Sequence, residues 1–408
     1  MTLRQRFRNA NSQLRGLLLF DALDRDLKLI FVSNLLAAFG DGFVVYLLPL
    51  FIRSLNATPI DVGLLFTLSS AAAAVSIIPG GFLADKYDRK KIIVLGWALW
   101  VPIPVVFFFA YDWTQLLVPM LVYGITFSAP AVSAYTLEHA CEGKMASAFT
   151  TLGAAYAIGY ILSPTTAFFL SFVFDARTIF LFTAVFYLFA ALTLVRISSQ
   201  KPRKPETEAS ESVEKKPAQK ISGLRKLVFV VLLFAVMMFA VSLVSSLISQ
   251  FQSDIYHYDI QLIFALGTVN YVGAFLLSVA VGRIGDRLGK TAAISFSMLV
   301  FATALGIFTL SGDLGVQAVS AFLRGASFPM WAFIGVMAGT IAPAAQRARW
   351  ISTVQTATRI AIIFSPVVGN VLYEVSSPAP FVLSIVVALA LSVVLNLKFL
   401  RSNRRKPA

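Results

Sequence analysis

Long runs of apolar residues alternate with short polar segments along the whole chain. A helix rises about 1.5 Å per residue, so each run is long enough to cross a hydrocarbon core about 30 Å thick. The pattern predicts twelve membrane spans, six in each half of the chain. Their predicted bounds, numbered spans 1 to 12 in order, are 28–51, 59–83, 91–111, 115–137, 146–171, 178–197, 226–250, 259–282, 291–311, 315–341, 349–373 and 379–399.

Polar segments divide the chain into five predicted parts. A cytoplasmic N-terminal segment, 1–27, precedes an N-terminal six-helix bundle, 28–197. A cytoplasmic linker, 198–225, is rich in Pro, Lys, Glu and Ser without an apolar period, which is typical of flexible segments. A C-terminal six-helix bundle, 226–400, and a short cytoplasmic tail, 401–408, complete the chain. The basic N-terminal segment fits both a helix on the membrane surface and a solvated tail.

Composition agrees with a polytopic membrane protein. Hydrophobic residues make up 58% and charged residues 13% of the 408 residues, which lies outside the range of soluble domains. The net charge of +14 does not indicate a nucleic-acid partner, because the basic residues form no continuous stripe. One cysteine and two histidines provide no disulfide and little for a metal site, so no cofactor is expected. No GxxxxGK(S/T) loop occurs, so a nucleotide-driven motor of that type is not expected.

Lys and Arg residues predict the orientation. If the N-terminus is cytoplasmic, 30 of the 34 basic residues lie in inside loops, tails or inner helix ends. Arg53 and Arg177 would lie outside, and Arg324 and Arg359 lie within spans. Basic residues are retained on the cytoplasmic side during insertion. We therefore expect a multi-pass protein of the cell membrane with both termini and the linker in the cytoplasm.

One short charged loop occurs twice. GGFLADKYDRKK, 80–91, follows span 2, and GRIGDRLGK, 282–290, follows span 8. Spans 4 and 5 also match spans 10 and 11 at nearly the same offset, so the chain consists of two related bundles. With an offset of 201 residues, the aligned loop residues are Gly81, Asp85, Lys86 and Arg89 with Gly282, Asp286, Arg287 and Lys290.

The spacing of glycine, aspartate and basic residues in both loops resembles motif A of the major facilitator superfamily. The resemblance implies an all-α polytopic membrane protein of twelve transmembrane helices, in two pseudo-symmetric six-helix bundles. It also implies alternating access with the substrate path between the bundles, and we expect a monomer. Asp88 departs from the family pattern, which usually has glycine there. Motifs B and C are missing, as Leu121 stands where motif B has arginine, so the antiporter subclass stays open.

The resemblance gives these loops a gating role. Asp85 would end span 2 close to the start of span 11, and Asp286 would end span 8 close to the start of span 5. A carboxylate at the positive end of a helix gains about 0.3–1 kcal/mol when exposed, so the pairs would latch the two halves on the cytoplasmic side. The simpler interpretation is that the loops only fix topology. The predicted gating residues are Gly81, Asp85, Arg89, Gly282, Asp286, Arg287 and Lys290.

Charged residues inside the spans predict a substrate or ion site. Asp41, Arg324 and Arg359 each lie near mid-depth, where an ionised side chain costs at least about 2.5–3.5 kcal/mol. Such residues face the bundle interior and carry function, or else they form satisfied structural pairs. The predicted substrate- or ion-binding residues are Asn34, Asp41, Asn270, Arg324, Gln355 and Arg359.

The predicted function is secondary active transport of a small organic solute across the lipid bilayer, coupled to protons and without enzymatic activity. Apolar helices with few polar groups favour an exporter of lipophilic or amphipathic compounds. The two mid-depth arginines favour the alternative, an importer or exchanger of a small organic anion. A non-transporting membrane sensor or a lipid scramblase is the alternative from another class.

The predicted topology is testable by proteolysis. The linker, 198–225, should be cut by protease added to everted membranes and protected in intact cells, because exposed polar segments are preferred cleavage sites. Immunoblots against tags at the two termini would report the cut. Cleavage in intact cells would overturn the orientation.

Overall fold

The computed structural model describes residues 23–140, 144–201, 224–342 and 347–403, and this part of the chain is helical without strands. The helices of the first half are α1 Arg25–Ser54, α2 Pro59–Lys86, α3 Arg89–Ala98, α4 Pro102–Phe109, α5 Leu117–Gly124, α6 Ala129–His139, α7 Met145–Leu170 and α8 Ala176–Leu194. Those of the second half are α9 Leu224–Leu243, α10 Leu247–Asp254, α11 Ile260–Leu288, α12 Lys290–Leu310, α13 Leu314–Arg324, α14 Phe328–Ile341, α15 Arg347–Ile363, α16 Ser365–Val375 and α17 Ala379–Asn403.

The helices confirm the predicted all-α polytopic fold. Among the described residues, eleven helical stretches are long and apolar enough to cross a membrane. The tenth predicted span is not one of the eleven, but it is helical as α13 and α14 with a 3-10 turn, Gly325–Ser327, between them. Eleven of the twelve predicted spans therefore coincide with such stretches, and the sequence pattern missed most of the interruptions inside the helices.

Prolines account for several of these interruptions. Pro102 begins α4, and Pro130, Pro329 and Pro366 lie in the first turns of α6, α14 and α16. Proline has no N–H and a fixed φ, so it is tolerated in the first turn of a helix and disrupts the turn before it. Pro164 behaves differently, because α7 continues through it.

Aspartate side chains fix where three of the helices start. Asp175, Asp259 and Asp313 each precede a helix and accept a hydrogen bond from the backbone N–H three residues later. These bonds satisfy otherwise unpaired donors at the starts of α8, α11 and α13, and each cap contributes about 0.5–2 kcal/mol. The short polar loops thus set the register of the apolar spans.

The described residues form two compact units. Unit 1 comprises those within Met1–Val45, Val75–Ala110 and Val118–Glu206, and unit 2 those within Tyr46–Ala74, Tyr111–Leu117 and Thr207–Ala408. The division passes through α1 and α2, so the second part of α1 and the first part of α2 group with the second half of the chain. The predicted bundle boundaries at 28–197 and 226–400 stay predictions.

Each unit has its own apolar core. In unit 1, Leu27, Ile93 and Tyr187 are almost fully buried within one cluster. In unit 2, the rings of Phe308 and Phe381 lie 5.1 Å apart at the centre of a larger cluster. Most other apolar side chains on the helix surfaces are exposed, as expected where lipid replaces a protein neighbour.

Candidate functional site

Three tyrosine hydroxyls of unit 1 bind the carboxylate of Asp41. Tyr123 and Tyr187 donate to Oδ1, the latter at 2.7 Å, and Tyr160 donates to Oδ2. The tyrosines come from α5, α7 and α8, whereas Asp41 lies in α1. Hydrogen bonds to a charged group contribute about 1.5–3 kcal/mol each. This tyrosine cage, Asp41 with Tyr123, Tyr160 and Tyr187, therefore holds a carboxylate inside a span without an ion-pair partner among the described residues.

Glycines beside Asp41 allow the cage to form. A Cβ on Gly42 would lie 2.6 Å from Cβ of Ser163 in α7, and one on Gly40 would lie 3.0 Å from Cβ of Phe186 in α8. Contacts this short leave no room for a side chain, so both helices approach α1 at its glycines.

A pocket of unit 1 lies beside the cage. The ring of Trp100 is 6.3 Å from the ring of Tyr123 and 6.0 Å from that of Tyr187, and its indole N–H donates to the carbonyl of Ile125 at 3.1 Å. Trp100 also lines a pocket of about 340 Å³. Ligand pockets commonly hold about 300–1,000 Å³, so a small organic solute fits. The pocket is lined by Trp97, Trp100, Phe149 and Tyr156, and by polar residues including Asn34 and Thr136.

In unit 2, Arg324 lies near the pair formed by Asn270 and Tyr46. Arg324 ends α13 and is only 3% exposed, with its Cζ 4.8 Å from the centre of the Phe308 ring. The amide of Asn270 donates to the hydroxyl of Tyr46 at 3.4 Å, and Gly325, the residue after Arg324, packs against Ala274, one helical turn from Asn270. Two predicted site residues are thus brought together in unit 2.

The structure distributes the other predicted site residues. Asn34 is 4% exposed and lines the pocket of unit 1. Gln355 and Arg359 lie in α15 and are exposed. Among the described residues, neither has a hydrogen-bond or ion-pair partner. The predicted group of six therefore divides between unit 1, unit 2 and an exposed helix face, and its role in binding stays a prediction.

Sequence reasoning missed the four tyrosines of these clusters. A tyrosine in an apolar run is compatible with a helix that faces lipid, so composition gives no warning of a buried hydroxyl. The available signal was position, since Tyr123, Tyr160 and Tyr187 lie within spans 4, 5 and 6, away from the membrane interfaces where tyrosine is common.

Arg89, a predicted gating residue, is an anchor inside unit 1. Its Nη1 binds the carboxylate of Glu138 and donates to Oε1 of Gln200 at 3.0 Å, and its Nε donates to the carbonyl of Ala84 at 3.4 Å. Its backbone N–H donates to the carbonyl of Gln200 at 3.0 Å. Arg89 therefore joins the loop after α2 to α6 and to the first residues of the predicted linker.

Asp88 explains why the first loop departs from the family pattern. Its carboxylate caps α3 by accepting from the N–H of Lys90 at 3.0 Å, and it also accepts from the hydroxyl of Ser199 and the N–H of Gln200 at 3.1 Å. Partial burial alone would raise the pKa of Asp88, but these hydrogen bonds lower it below its ordinary value. In the second loop Gly289 occupies the aligned position with φ of +93°, a conformation that favours glycine.

The remaining gating residues lie at the surface of their units. Asp85 and Asp286 are exposed in the last turns of α2 and α11, and within the described residues neither carboxylate has a hydrogen-bond partner. Arg287 is exposed, and Nζ of Lys290 bonds the hydroxyl of Thr340. A Cβ added to Gly81 or Gly282 would meet no atom within 4 Å. The latch itself stays a prediction.

A family model described as Major Facilitator Superfamily matches residues 30–269 and residues 230–408. Multidrug resistance protein 2 of Bacillus subtilis is 25% identical over 389 residues, which is 90% of this chain and 94% of that protein. Quinolone resistance protein NorA of Staphylococcus aureus is 22% identical over 375 residues, which is 90% of this chain and 95% of that protein.

Solved structures are similar over most of the chain. The nucleoside transporter NupG matches with a TM-score of 0.70 at 13% identity, over 94% of this chain and 100% of that one. A POT family transporter in complex with 5-aminolevulinic acid matches with a TM-score of 0.73 at 13% identity, over 91% and 96%. At these identities the likeness concerns the fold, and it confirms the predicted fold class.

Stability measurements would separate the anchor from the predicted latch. Arg89→Ala removes the Glu138 and Gln200 contacts of a buried guanidinium, so we expect a loss of about 1–3 kcal/mol. Asp85→Asn should change stability by less than about 0.5 kcal/mol, because Asp85 is exposed. Thermal unfolding of the purified variants in detergent would measure both. Equal losses would contradict this assignment.

Proposed function

The chain belongs to the major facilitator superfamily. On that premise we propose that it exports lipophilic or amphipathic organic compounds, including small organic cations, in exchange for protons. It is a multi-pass transporter of the plasma membrane rather than an enzyme, and its substrates are small molecules. The proposal comprises the direction of transport, the solute class and proton coupling. It also includes a monomeric state and cytoplasmic termini.

The tyrosine cage is the observation that carries the proposal. An ionised carboxylate accepts hydrogen bonds at both oxygens, whereas a protonated one carries an O–H donor. Within the described residues, Oδ1 of Asp41 accepts two tyrosine hydroxyls and Oδ2 accepts one, that of Tyr160. We place the proton on Oδ2, where a single hydroxyl must turn from donor to acceptor. Because the donors lie on α5, α7 and α8, one proton changes contacts among four helices of unit 1.

The pocket supports a solute with an apolar body and a positive charge. Aromatic faces attract cations, and Trp97, Trp100 and Phe149 line the pocket. Trp100 also packs against two tyrosines of the cage, so a solute there and a proton on Asp41 act on the same side chains. Competition between solute and proton for this region is the simplest form of exchange.

The relatives support export. Their printed names are multidrug resistance protein and quinolone resistance protein, and each match covers most of both chains. Lowering the internal concentration of a compound is the function that such names imply for a transporter. We carry export to this chain as part of the proposal.

Import or exchange of a small organic anion is the second candidate. Arg324 is the observation in its favour, because a buried guanidinium without a carboxylate partner among the described residues favours a negative ligand. Arg359 adds less support, since it is exposed. Uptake of an aromatic carboxylate that persists in an Asp41→Asn variant would favour this candidate.

Asp41→Asn tests proton coupling. In liposomes with an imposed pH gradient, the variant should lose accumulation of tetraphenylphosphonium yet still exchange it down its own gradient, because the amide cannot take up a proton at this pH. Asp313→Asn is the matched control, since Asn caps a helix as well as Asp does. Gradient-driven transport that survives in Asp41→Asn would refute the coupling role.

The latch proposal requires a separate measurement. In a background with Cys141 replaced by Ser, single cysteines at the starts of α7 and α15 should react faster with a membrane-impermeant maleimide when Asp85→Asn or Asp286→Asn is present. Loss of the carboxylate removes its attraction to a helix N-terminus, worth about 0.3–1 kcal/mol when exposed, so the population should shift by about two- to fivefold. Unchanged labelling in both variants would rule out a latch.

A further inference from the structure

We propose that Arg324, Asn270 and Tyr46 of unit 2 bind a monovalent anion. Two sources share this chemistry, namely a free ion such as chloride and the carboxylate of a solute. The second source rests on the second candidate function above, transport of a small organic anion, and places the carboxylate of that solute at Arg324. The first source requires only that the protein binds the ion.

Arg324 has unsatisfied donors. Its Nε and Nη1 atoms are buried, and neither has a hydrogen-bond partner among the described residues. Both atoms carry hydrogens that need acceptors, because a guanidinium stays charged and accepts nothing. Buried polar groups in proteins are almost always hydrogen-bonded, so unpaired donors on a charged group indicate a ligand position.

The surrounding charge does not neutralise the guanidinium. The ring of Phe308 lies 4.8 Å from Cζ, and a cation–π contact of this kind contributes about 0.5–2 kcal/mol. Burying an ion without a partner costs several kcal/mol, which is about twice the cation–π contribution or more. No aspartate or glutamate forms an ion pair with Arg324 among the described residues. One negative charge from outside would restore the balance.

Two further side chains offer polar atoms beside this charge. Asn270 donates to the hydroxyl of Tyr46, which leaves the hydroxyl hydrogen of Tyr46 free to donate to a ligand. The Oδ1 atom of Asn270 is buried without a partner, and rotating the amide by half a turn would let it accept from Tyr46 and present N–H groups instead. In the first orientation the hydroxyl of Tyr46 is the donor for a ligand, and in the second the amide of Asn270 is, so in either case a neutral donor accompanies the guanidinium.

The backbone holds these groups firmly in place. A Cβ on Gly273 would lie 2.1 Å from the carbonyl oxygen of Phe322, and one on Gly325 would lie 2.2 Å from the N of Ala274. The backbones of α11 and α13 therefore meet without room for a side chain, next to Arg324 and one helical turn from Asn270. Gly267 likewise faces the ring of Tyr46, with 2.6 Å from its added Cβ to Cε2. Preformed donors lose little entropy when a ligand binds.

A single arginine without an ion-pair partner among the described residues selects a monovalent anion. A dianion would leave one negative charge uncompensated in a buried site. The desolvation cost of an unpaired charge would then remain. A cation would add to that cost. The site is thus distinct in charge and in location from the tyrosine cage of unit 1, which offers a carboxylate.

Thermal unfolding in detergent tests the site through linkage, since a ligand that binds only the folded state raises Tm. The full chain would be unfolded in buffers of equal ionic strength that contain sodium gluconate as a bulky reference, sodium chloride or sodium benzoate. We expect chloride or benzoate to raise the Tm of the wild type in a saturable manner. Arg324→Met should weaken that response about ten- to hundredfold, as expected for a charge-assisted hydrogen-bonded anion. The exposed Arg225→Gln is the matched control and should respond as the wild type does.

The same data distinguish a ligand site from a structural arginine. In gluconate alone, Arg324→Met should unfold at the same temperature as the wild type or higher, because an apolar side chain replaces an unpaired buried charge. A response to chloride alone assigns the site to the free ion, and a response to benzoate alone assigns it to a solute carboxylate. If Arg324→Met does not fold, Arg324→Gln carries the same comparison.

Two results would overturn the proposal. One is a wild type whose Tm is the same in all three salts. The other is an arginine variant that loses the same stability in every buffer, which would identify Arg324 as a structural residue. Neither result bears on Asp41→Asn, so failure of the anion site and failure of proton coupling remain distinguishable.

Discussion

An ionised side chain inside a membrane span needs a partner, and this requirement explains both clusters in the structure. Asp41 meets it with three tyrosine hydroxyls, so its charge is distributed over four helices of unit 1. Arg324 does not meet it from the described residues, although its burial is nearly complete. The charged groups of the two units therefore differ. The acceptor in unit 1 is hydrogen-bonded, whereas the donors in unit 2 are unpaired among the described residues.

Close helix packing is what brings these groups into reach. At Gly42 and Gly273 the neighbouring chain lies so near that any side chain would collide with it. Small residues allow such approaches in membranes, where burial of apolar surface gives little drive for helices to associate. The polar clusters lie next to these crossings, so packing and hydrogen bonding support one another at the same places in the two units.

Apolar runs and repeated loops were enough to predict the fold, because a membrane span needs a minimum length and leaves few alternatives for the backbone. Asp41 and Arg324 could be singled out for the same reason, since charge inside a span is costly. The tyrosines could not be singled out, because tyrosine is common in apolar helices and the sequence does not reveal whether its hydroxyl has a hydrogen-bond partner. The anchoring contacts of Arg89, a predicted gating residue, could not be predicted for another reason. Its contacts with Glu138 and Gln200 join residues far apart in sequence, which spacing does not reveal.

The two charged loops also show how far the halves have diverged since the duplication. The carboxylate of Asp88 accepts hydrogen bonds from Ser199 and Gln200. Gly289, at the aligned position, adopts a positive φ that is favourable for a residue without Cβ. Neither residue could replace the other, because aspartate disfavours a φ of +93° and glycine has no carboxylate. The repeats have thus become asymmetric parts of one chain. A chimaera built from two copies of either half would carry the same residue in both loops. One of the two loops would then lack the residue that its conformation or its contacts require.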